Sequence, residues 1–508
     1  MSFQGGYLMK KNANKAVKAT TAALLAAGLF TGSAAAAAEG QHSSPSHIPG
    51  AYHSASKAFS VPKVPFKGMV KKGSGQEVMG PSKPSYKMNV FYDSKKHQIS
   101  GKLTVKFKNN LKKNLNELYF NVWGNAEDFA ENGGGTDVSN VKVNGKRAVY
   151  NVDGTALHIP AVKIKKGATA SVSMNFTVSV PQQQDRFGWF KNTVSLGNWF
   201  PILAVYDKEG WNVDPYFNAG ESFYSLTGDY DVTLTTDKKQ VIAVTGEEIG
   251  KPQKAGNLAI HRYKAHNVRD FALEMDPTYK VKKGMVNNVK INVYYTAEQA
   301  GYADSMLASG LKSIDLFSDH FGTYPWPELD IVGMEGWFGG MEYPQLVMIS
   351  IAGTRSQEWV RSVTAHEIGH QWFYGIIGDN EYDEPWLDES FATFAAALHD
   401  NELNQLTTPP VANKELHLSS PVSAFTAYGD EGVGAYYQMI YGYGSRTLND
   451  LRVKLGDKVF YSAMKAYFKE KKFGVATTKD FIRIMERESG KDLGAFFQDH
   501  RVYVSDQE

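Results

Sequence analysis

No cysteine occurs anywhere in the 508 residues, which removes disulfides, thiolate metal sites and cysteine nucleophiles together. A catalytic metal in this chain has only histidine and carboxylate side chains to hold it. An excess of one charge sign is equally lacking, since 55 Lys and Arg stand against 53 Asp and Glu, a formal net charge of +2. That balance offers no broad electrostatic footprint for nucleic acid or an anionic membrane. Histidine is scarce at 13 residues, whereas apolar side chains make up 42% of the chain. Over this length that is enough for at least two cores, because single cores stop growing well short of it. Two large domains are expected.

The first 38 residues read as a secretory signal. Lys10, Lys11, Lys15 and Lys18 form a basic start, ATTAALLAAGLF an apolar core, and Ala34 to Ala38 offer A-x-A cleavage sites. Residues 19–38 carry no charge, so an uncleaved anchor is the alternative, though a weakly apolar one. Export without cysteine suits a bacterial route better than a disulfide-forming one. Residues 39–85 shift to Ser, Pro, Gly, Lys and His and read as a flexible linker. Its lysines (Lys57, Lys63, Lys67, Lys71, Lys72, Lys83) either contact an anionic cell wall or membrane surface weakly, or are simply solvated. The expected location is extracellular, with cell-envelope association through the basic linker.

Residues 86–277 carry a period of two. In HQISGKLTVKF, Ile99, Leu103, Val105 and Phe107 point one way, and Ser100, Lys102, Thr104 and Lys106 the other. Strands are likewise predicted in LNELYFNVW, ASVSMNFTVSV, YDVTLTT and RDFALEM. Beyond Thr278 the period lengthens, with helices predicted in AGYADSMLASGLKSIDLFSDHF, SQEWVRSVTAHEIGHQWFYG and PWLDESFATFAAALHD. The fold class is therefore α+β multidomain: a β-rich domain over 86–277, then an α+β or mainly α domain over 278–508.

Within the second half stands HEIGHQW. On a helix, His366 and His370 at i and i+4 project from one face, so two imidazoles can reach one zinc ion while Glu367 points to its open side. By chance, H-E-x-x-H arises in roughly one or two chains per hundred of this length, so the motif alone is only suggestive. A catalytic zinc needs a third protein ligand, and DEPWLDESFATF supplies one. Pro385 suits a first helical turn, and Glu389 then lies one turn in, with eighteen residues separating it from His370. Two neutral nitrogens and a carboxylate form a set suited to zinc, whose bound water becomes acidic enough to give hydroxide near neutral pH.

HEIGH, an eighteen-residue spacer and WLDESFA together resemble the signature of the gluzincin aminopeptidase family, which includes aminopeptidase N and leukotriene hydrolase. FGTYPWPELD resembles the strand that enters that family's catalytic domain, FGGMEYP its substrate-amine loop, KFGVATTKDFIRIMERESGKDLGAFF its helical end and RDFALEM the close of its N-terminal β domain. The resemblance implies a saddle-like β-rich domain followed by a thermolysin-like catalytic domain. It also implies one zinc ion per chain on His366, His370 and Glu389, with Glu367 as general base and peptides as substrates.

From the same resemblance, Glu342 grips the substrate's free amino group and Gly339 and Gly340 leave room for its backbone. QLVMIS just beyond is then the edge strand to which a peptide can add. Tyr343 stands where the family usually has Asn. Tyr441, in IYGYGS, matches the family's oxyanion-stabilising tyrosine, with Tyr443 in place of its usual lysine and Tyr436, Tyr437 and Tyr443 as neighbouring competitors. The aromatic run Asn198 to Trp211 lines a cleft or belongs to a core. The sequence stops at Glu508, soon after the helical part, so a more open cleft than in larger relatives is expected. A secreted zinc aminopeptidase is the first expectation. An endopeptidase with the same site, or a catalytically silent cell-surface scaffold, are the rivals.

Overall fold

The computed structural model describes residues 79–504 apart from residues 218, 219, 337, 352 and 354. The expected signal segment and most of the expected linker lie outside the described residues. Alternation builds the first half. Strands β1 (Ser82–Asp93), β2 (Gln98–Lys108), β3 (Gly135–Val143), β4 (Thr169–Ser179), β5 (Gly228–Asp237) and β6 (Leu258–Val268) lie side by side in the order β6-β5-β1-β2-β4-β3. Short edge strands bring this sheet to nine. β1 and β5 run parallel and the other neighbours antiparallel. Ile99, Leu103, Val105 and Phe107 are buried while Lys102 and Lys106 reach solvent, so β2 has one wet face as its period predicts. The aromatic run is core: Phe200 meets the rings of Tyr86 and Tyr230, each with centroids 6.0 Å away.

The last strand of this half is Leu273–Asp276. A five-stranded sheet follows, built from β7 (Lys280–Val286), β8 (Val289–Tyr295), β9 (Glu328–Met334), β10 (Gly340–Met341) and β11 (Leu346–Ser350) in the order β7-β8-β9-β11-β10. Helix α1 (Ala303–His320) packs on α2 (Gln357–Gly369), and α2 on α3 (Trp386–Asp400). Helices α4 (Gly444–Leu455), α5 (Asp457–Lys471) and α6 (Thr478–Ser489) follow, with shorter helices at Val422–Thr426, Gly429–Tyr436 and Gly494–Asp499. The α+β, multidomain class is as expected. The edge strand is not: β11 lies between β9 and β10, and the two-residue β10 is the edge, because GGM folds back antiparallel and pairs Gly340 with Ile349 and Met341 with Met348.

Buried polar contacts join the halves. Arg269, fully buried at the close of the β domain, donates from Nε to the carbonyl of Tyr374 at 2.6 Å, from Nη1 to that of Ser225 at 2.7 Å, and from Nη2 to that of Gly474. Asp330 of β9 accepts from the backbone N–H of Val244 at 3.0 Å and from Asn292 Nδ2 at 2.9 Å. Burial, then neighbouring Glu328, pushes its carboxyl up to about 8.

Arg269→Met strips donors from three buried carbonyls, and by analogy with breaking a buried charged contact it should cost about 3–5 kcal/mol in denaturant unfolding. A loss below about 1 kcal/mol would contradict this role. Asp330 has a folded pKa above its ordinary value, so it holds more protons folded than unfolded, and its contribution to stability is lost as pH rises towards about 8. The fall in melting temperature between about pH 5 and about pH 8 should therefore be smaller in Asp330→Asn than in the parent; equal falls would remove Asp330 from the account.

Candidate zinc centre

Helix α2 starts on Ser356, whose hydroxyl accepts the Trp359 N–H at 3.0 Å, and it ends at Gly369. His370 therefore sits one residue past the helix, at its C-cap, rather than inside it, but keeps helical angles of φ −61° and ψ −18°. The i, i+4 relation survives, and the two imidazoles share a face. Pro385 precedes α3, whose first turn carries Glu389. These starts bring three atoms together: His366 Nε2 lies 3.0 Å from His370 Nε2 and 3.1 Å from Glu389 Oε2, and His370 Nε2 lies 3.3 Å from that same oxygen.

That triangle fits zinc. Tetrahedral ligands about 2.0–2.1 Å from an ion stand about 3.3 Å apart, close to the spacing seen. With each imidazole protonated on Nδ1, the two Nε2 atoms and the carboxylate oxygen turn three lone pairs to one point, the donor set that a dication takes. The outer contacts favour the same assignment. Asp388 Oδ1 accepts from His370 Nδ1, which leaves the Nε2 lone pair facing the triangle, and Thr393 Oγ1 lies 3.5 Å from His366 Nδ1. Burial raises Glu389, but His370 and the hydrogen bonds to both histidines outweigh it and hold this carboxylate well below its ordinary range.

Glu367 is buried on the same face, and desolvation pushes its carboxyl up to about 8. Gly340 lies against it: a Cβ at Gly340 would fall 2.4 Å from Glu367 Oε1, so only glycine allows this approach, whereas a Cβ at Gly339 would meet nothing within 4 Å. Glu342 is buried, with Oε1 lacking any hydrogen-bond partner. Burial, then Glu221, raises its carboxyl well above the ordinary range. It also reaches the back of the metal set, since donor atoms of Glu342, His370 and Asp388 lie within 4.8 Å of one another.

Tyr441 comes from a π-helical turn, Tyr437–Tyr443, a widened turn of the kind found at functional sites. Its phenol donates to Glu389 Oε1, and its ring stacks on His366 at 5.9 Å and 10°. Among the competitors, Tyr436 is buried with its hydroxyl unpartnered, Tyr437 packs on Tyr441 at 5.3 Å, and Tyr443 faces Arg501 and Tyr503. All eight expected residues thus gather in one region.

Four participants were absent from the sequence reading. Asp388 had a signal, since a zinc histidine usually gives its second nitrogen to a carboxylate and WLDES offers one beside Glu389. Gln371 directly follows His370, and only its contacts with the Glu342 loop reveal its use. Arg186 and Glu221 had none: they are distant in sequence, yet Arg186 Nη1 donates to Glu221 Oε1 and lies 2.9 Å from Met341 Sδ.

Residues 306–500 match the peptidase family M1 domain. That stretch is similar to the M1 peptidase domain. Every expected metal, base, amine-loop and tyrosine position falls within that match. The chain is 28% identical over 210 residues to probable aminopeptidase 2 of Sulfurisphaera tokodaii, covering 37% of this chain and 27% of that protein. It is 27% identical over 248 residues to aminopeptidase N of Lactococcus lactis subsp. lactis (strain IL1403), covering 42% and 28%. It thus spans little more than a quarter of the length of the curated relatives it matches. In fold it is similar to the M1 zinc metallopeptidase from Deinococcus radiodurans, with a TM-score of 0.60 at 16% identity over 85% of this chain and 95% of that one.

Asp388→Asn removes the carboxyl behind His370 while preserving its shape. Zinc affinity measured by chelator competition should fall about 10–100-fold. An unchanged affinity would mean that Asp388 does not orient the ligand.

Proposed function

We propose that this chain is an exported zinc aminopeptidase that holds one zinc ion on His366, His370 and Glu389 and releases residues from the N-termini of peptides. The observation that carries this reading is the convergence of those three side chains beside a buried Glu342 whose Oε1 has no partner within the protein. An unpartnered buried acceptor costs free energy until a donor arrives, and the α-ammonium of a peptide end is a donor of matching charge. A carboxylate at that place favours chain ends over chain middles.

Zinc, when bound, supplies a Lewis acid that acidifies water and polarises a carbonyl. Glu367 takes the proton of the attacking water and carries it to the departing amine, a task suited to a carboxyl whose affinity for protons is raised by burial. The Tyr441 phenol turns from Glu389 to donate to the carbonyl oxygen as negative charge grows there. The edge strand Gly340–Met341 offers its free side to the substrate backbone, and Gly340 keeps that backbone close to Glu367. Export rests on the lysines and apolar stretch before Glu39. Weak cell-envelope attachment rests on the lysine-rich residues that follow.

Peptides with free and acetylated N-termini, assayed with and without chelator, test the reading. Chelator-sensitive cleavage confined to the free-amine set is expected; equal cleavage of both sets would make the protein an endopeptidase. Glu367→Gln should keep its zinc and lose nearly all turnover, and Tyr441→Phe should lose about a hundred-fold or more in kcat. Full activity in Glu367→Gln would sink the mechanism.

A further inference from the structure

We infer that Tyr343, Asn198 and Asp270 form a buried hydrogen-bonded relay that positions Glu342 from the β domain, so that recognition of a free amino group depends on a contact across the domain boundary. This rests on the aminopeptidase reading, in which Glu342 receives the α-ammonium.

Glu342 Oε1 is buried without a partner, so that oxygen does not fix the direction of the side chain. Its aim is set by the backbone that carries it. From the catalytic side, Gln371 Nε2 donates to the carbonyls of Glu342 and Tyr343, each at 3.2 Å, while its Oε1 accepts the Gln345 N–H at 2.8 Å. From the other side the hold is the Tyr343 side chain. Its phenol donates to Asn198 Oδ1 at 2.6 Å, Asn198 Nδ2 donates to Asp270 Oδ2 at 2.6 Å, and Asp270 Oδ1 accepts the Phe271 N–H at 2.6 Å. All three side chains are buried.

The β domain is shaped to receive that hydroxyl. A Cβ at Gly197 would lie 1.9 Å from the Tyr343 oxygen, so any other residue there would expel it. Asn198, next in the chain, sits at φ +50°, a conformation that Asn tolerates better than most residues. Packing alone needs none of this, because phenylalanine would fill the same ring volume and leave no polar group to satisfy. A hydroxyl, an amide and a carboxyl buried together are stable only when each bond is made. Tyr343 follows Glu342 directly, so a shift of the anchored ring is passed to the Glu342 Cα through one peptide unit. Tyr343 is thus a positioning residue, acting through Glu342.

The test uses the zinc-loaded full chain, with Tyr343→Phe and Asp270→Asn made singly and together, and matched free-amine and N-acetylated peptides. Asparagine at 270 has one acceptor for two donors, so the relay breaks there too. Each single variant should keep its zinc and raise KM for free-amine peptides about tenfold with a much smaller change in kcat. The double variant should be no worse than either single one, since both cut the same chain, and any residual rate on acetylated peptides should not move. A lowered melting temperature with KM unchanged overturns the relay and leaves the aminopeptidase reading standing. Equal cleavage of free and acetylated peptides by the parent protein overturns that reading and the relay with it. Tyr343→Phe deletes a single oxygen, so the test does not depend on Asp270→Asn folding.

Discussion

Three electron-rich atoms held about 3 Å apart in the buried interior are the constraint around which the helical half is arranged. When both imidazoles carry their proton on Nδ1, His366 Nε2, His370 Nε2 and Glu389 Oε2 turn three lone pairs to one point, and a cation satisfies all three at once. The start of α2 on Ser356, the extension of helical angles to His370 and the placement of Glu389 in the first turn of α3 are what bring these atoms to that distance. The outer contacts of Asp388, Thr393 and Tyr441 then decide which lone pair each ligand presents.

Around that point the interior is strongly acidic. Glu221, Glu342, Glu367, Asp379, Glu381, Asp388 and Glu389 are all buried, and oxygens of Glu221, Glu342, Asp379, Glu381 and Asp388 lack partners. Carboxylates are rarely buried without compensation, and most of these have their protons held more tightly than usual by burial. Glu389 is instead held low by the two histidines. Positive charge is therefore what this region lacks in two places: among the three candidate ligands and beside Glu342.

What could be read from the sequence follows from how local each signal is. His366, Glu367 and His370 share one turn, and Glu389 sits in the next helix, so one helical period and one loop suffice to relate them. The alternation in β2 reports a single wet face, and that too is a property of neighbouring residues. The order of β10 and β11 is different in kind: QLVMIS carries the apolar residues of any strand, and only the fold-back of GGM shows that it is interior to the sheet. Tyr343 could be seen to depart from the family's asparagine, but its meaning lay in Asn198 and Asp270, which strand pairing and domain contact bring near from far along the chain. The aromatic run that contains Asn198 was legible as cleft or core; its packing is core, and the polar residue at its start is what reaches the site.

The cations beside this acidic interior, Arg186 and Arg269, both belong to the β domain. Arg269 spans the boundary, bonded to carbonyls of Tyr374 and Gly474 and set among the fields of Asp379 and Glu381. Arg186 holds Glu221 beside Met341, adjacent to Glu342 in the chain. Separating the two halves would take the Tyr374 and Gly474 carbonyls from Arg269 and its charge from Asp379 and Glu381, at a cost of several kcal/mol when a buried partner is removed, whereas Arg186 would keep Glu221 and lose only Met341. Through Arg269 the β-rich half is thus part of the electrostatics of the candidate site. The same boundary that neutralises the acids also carries the Tyr343 contact, so the geometry of Glu342 and the charge around it are fixed by one interface.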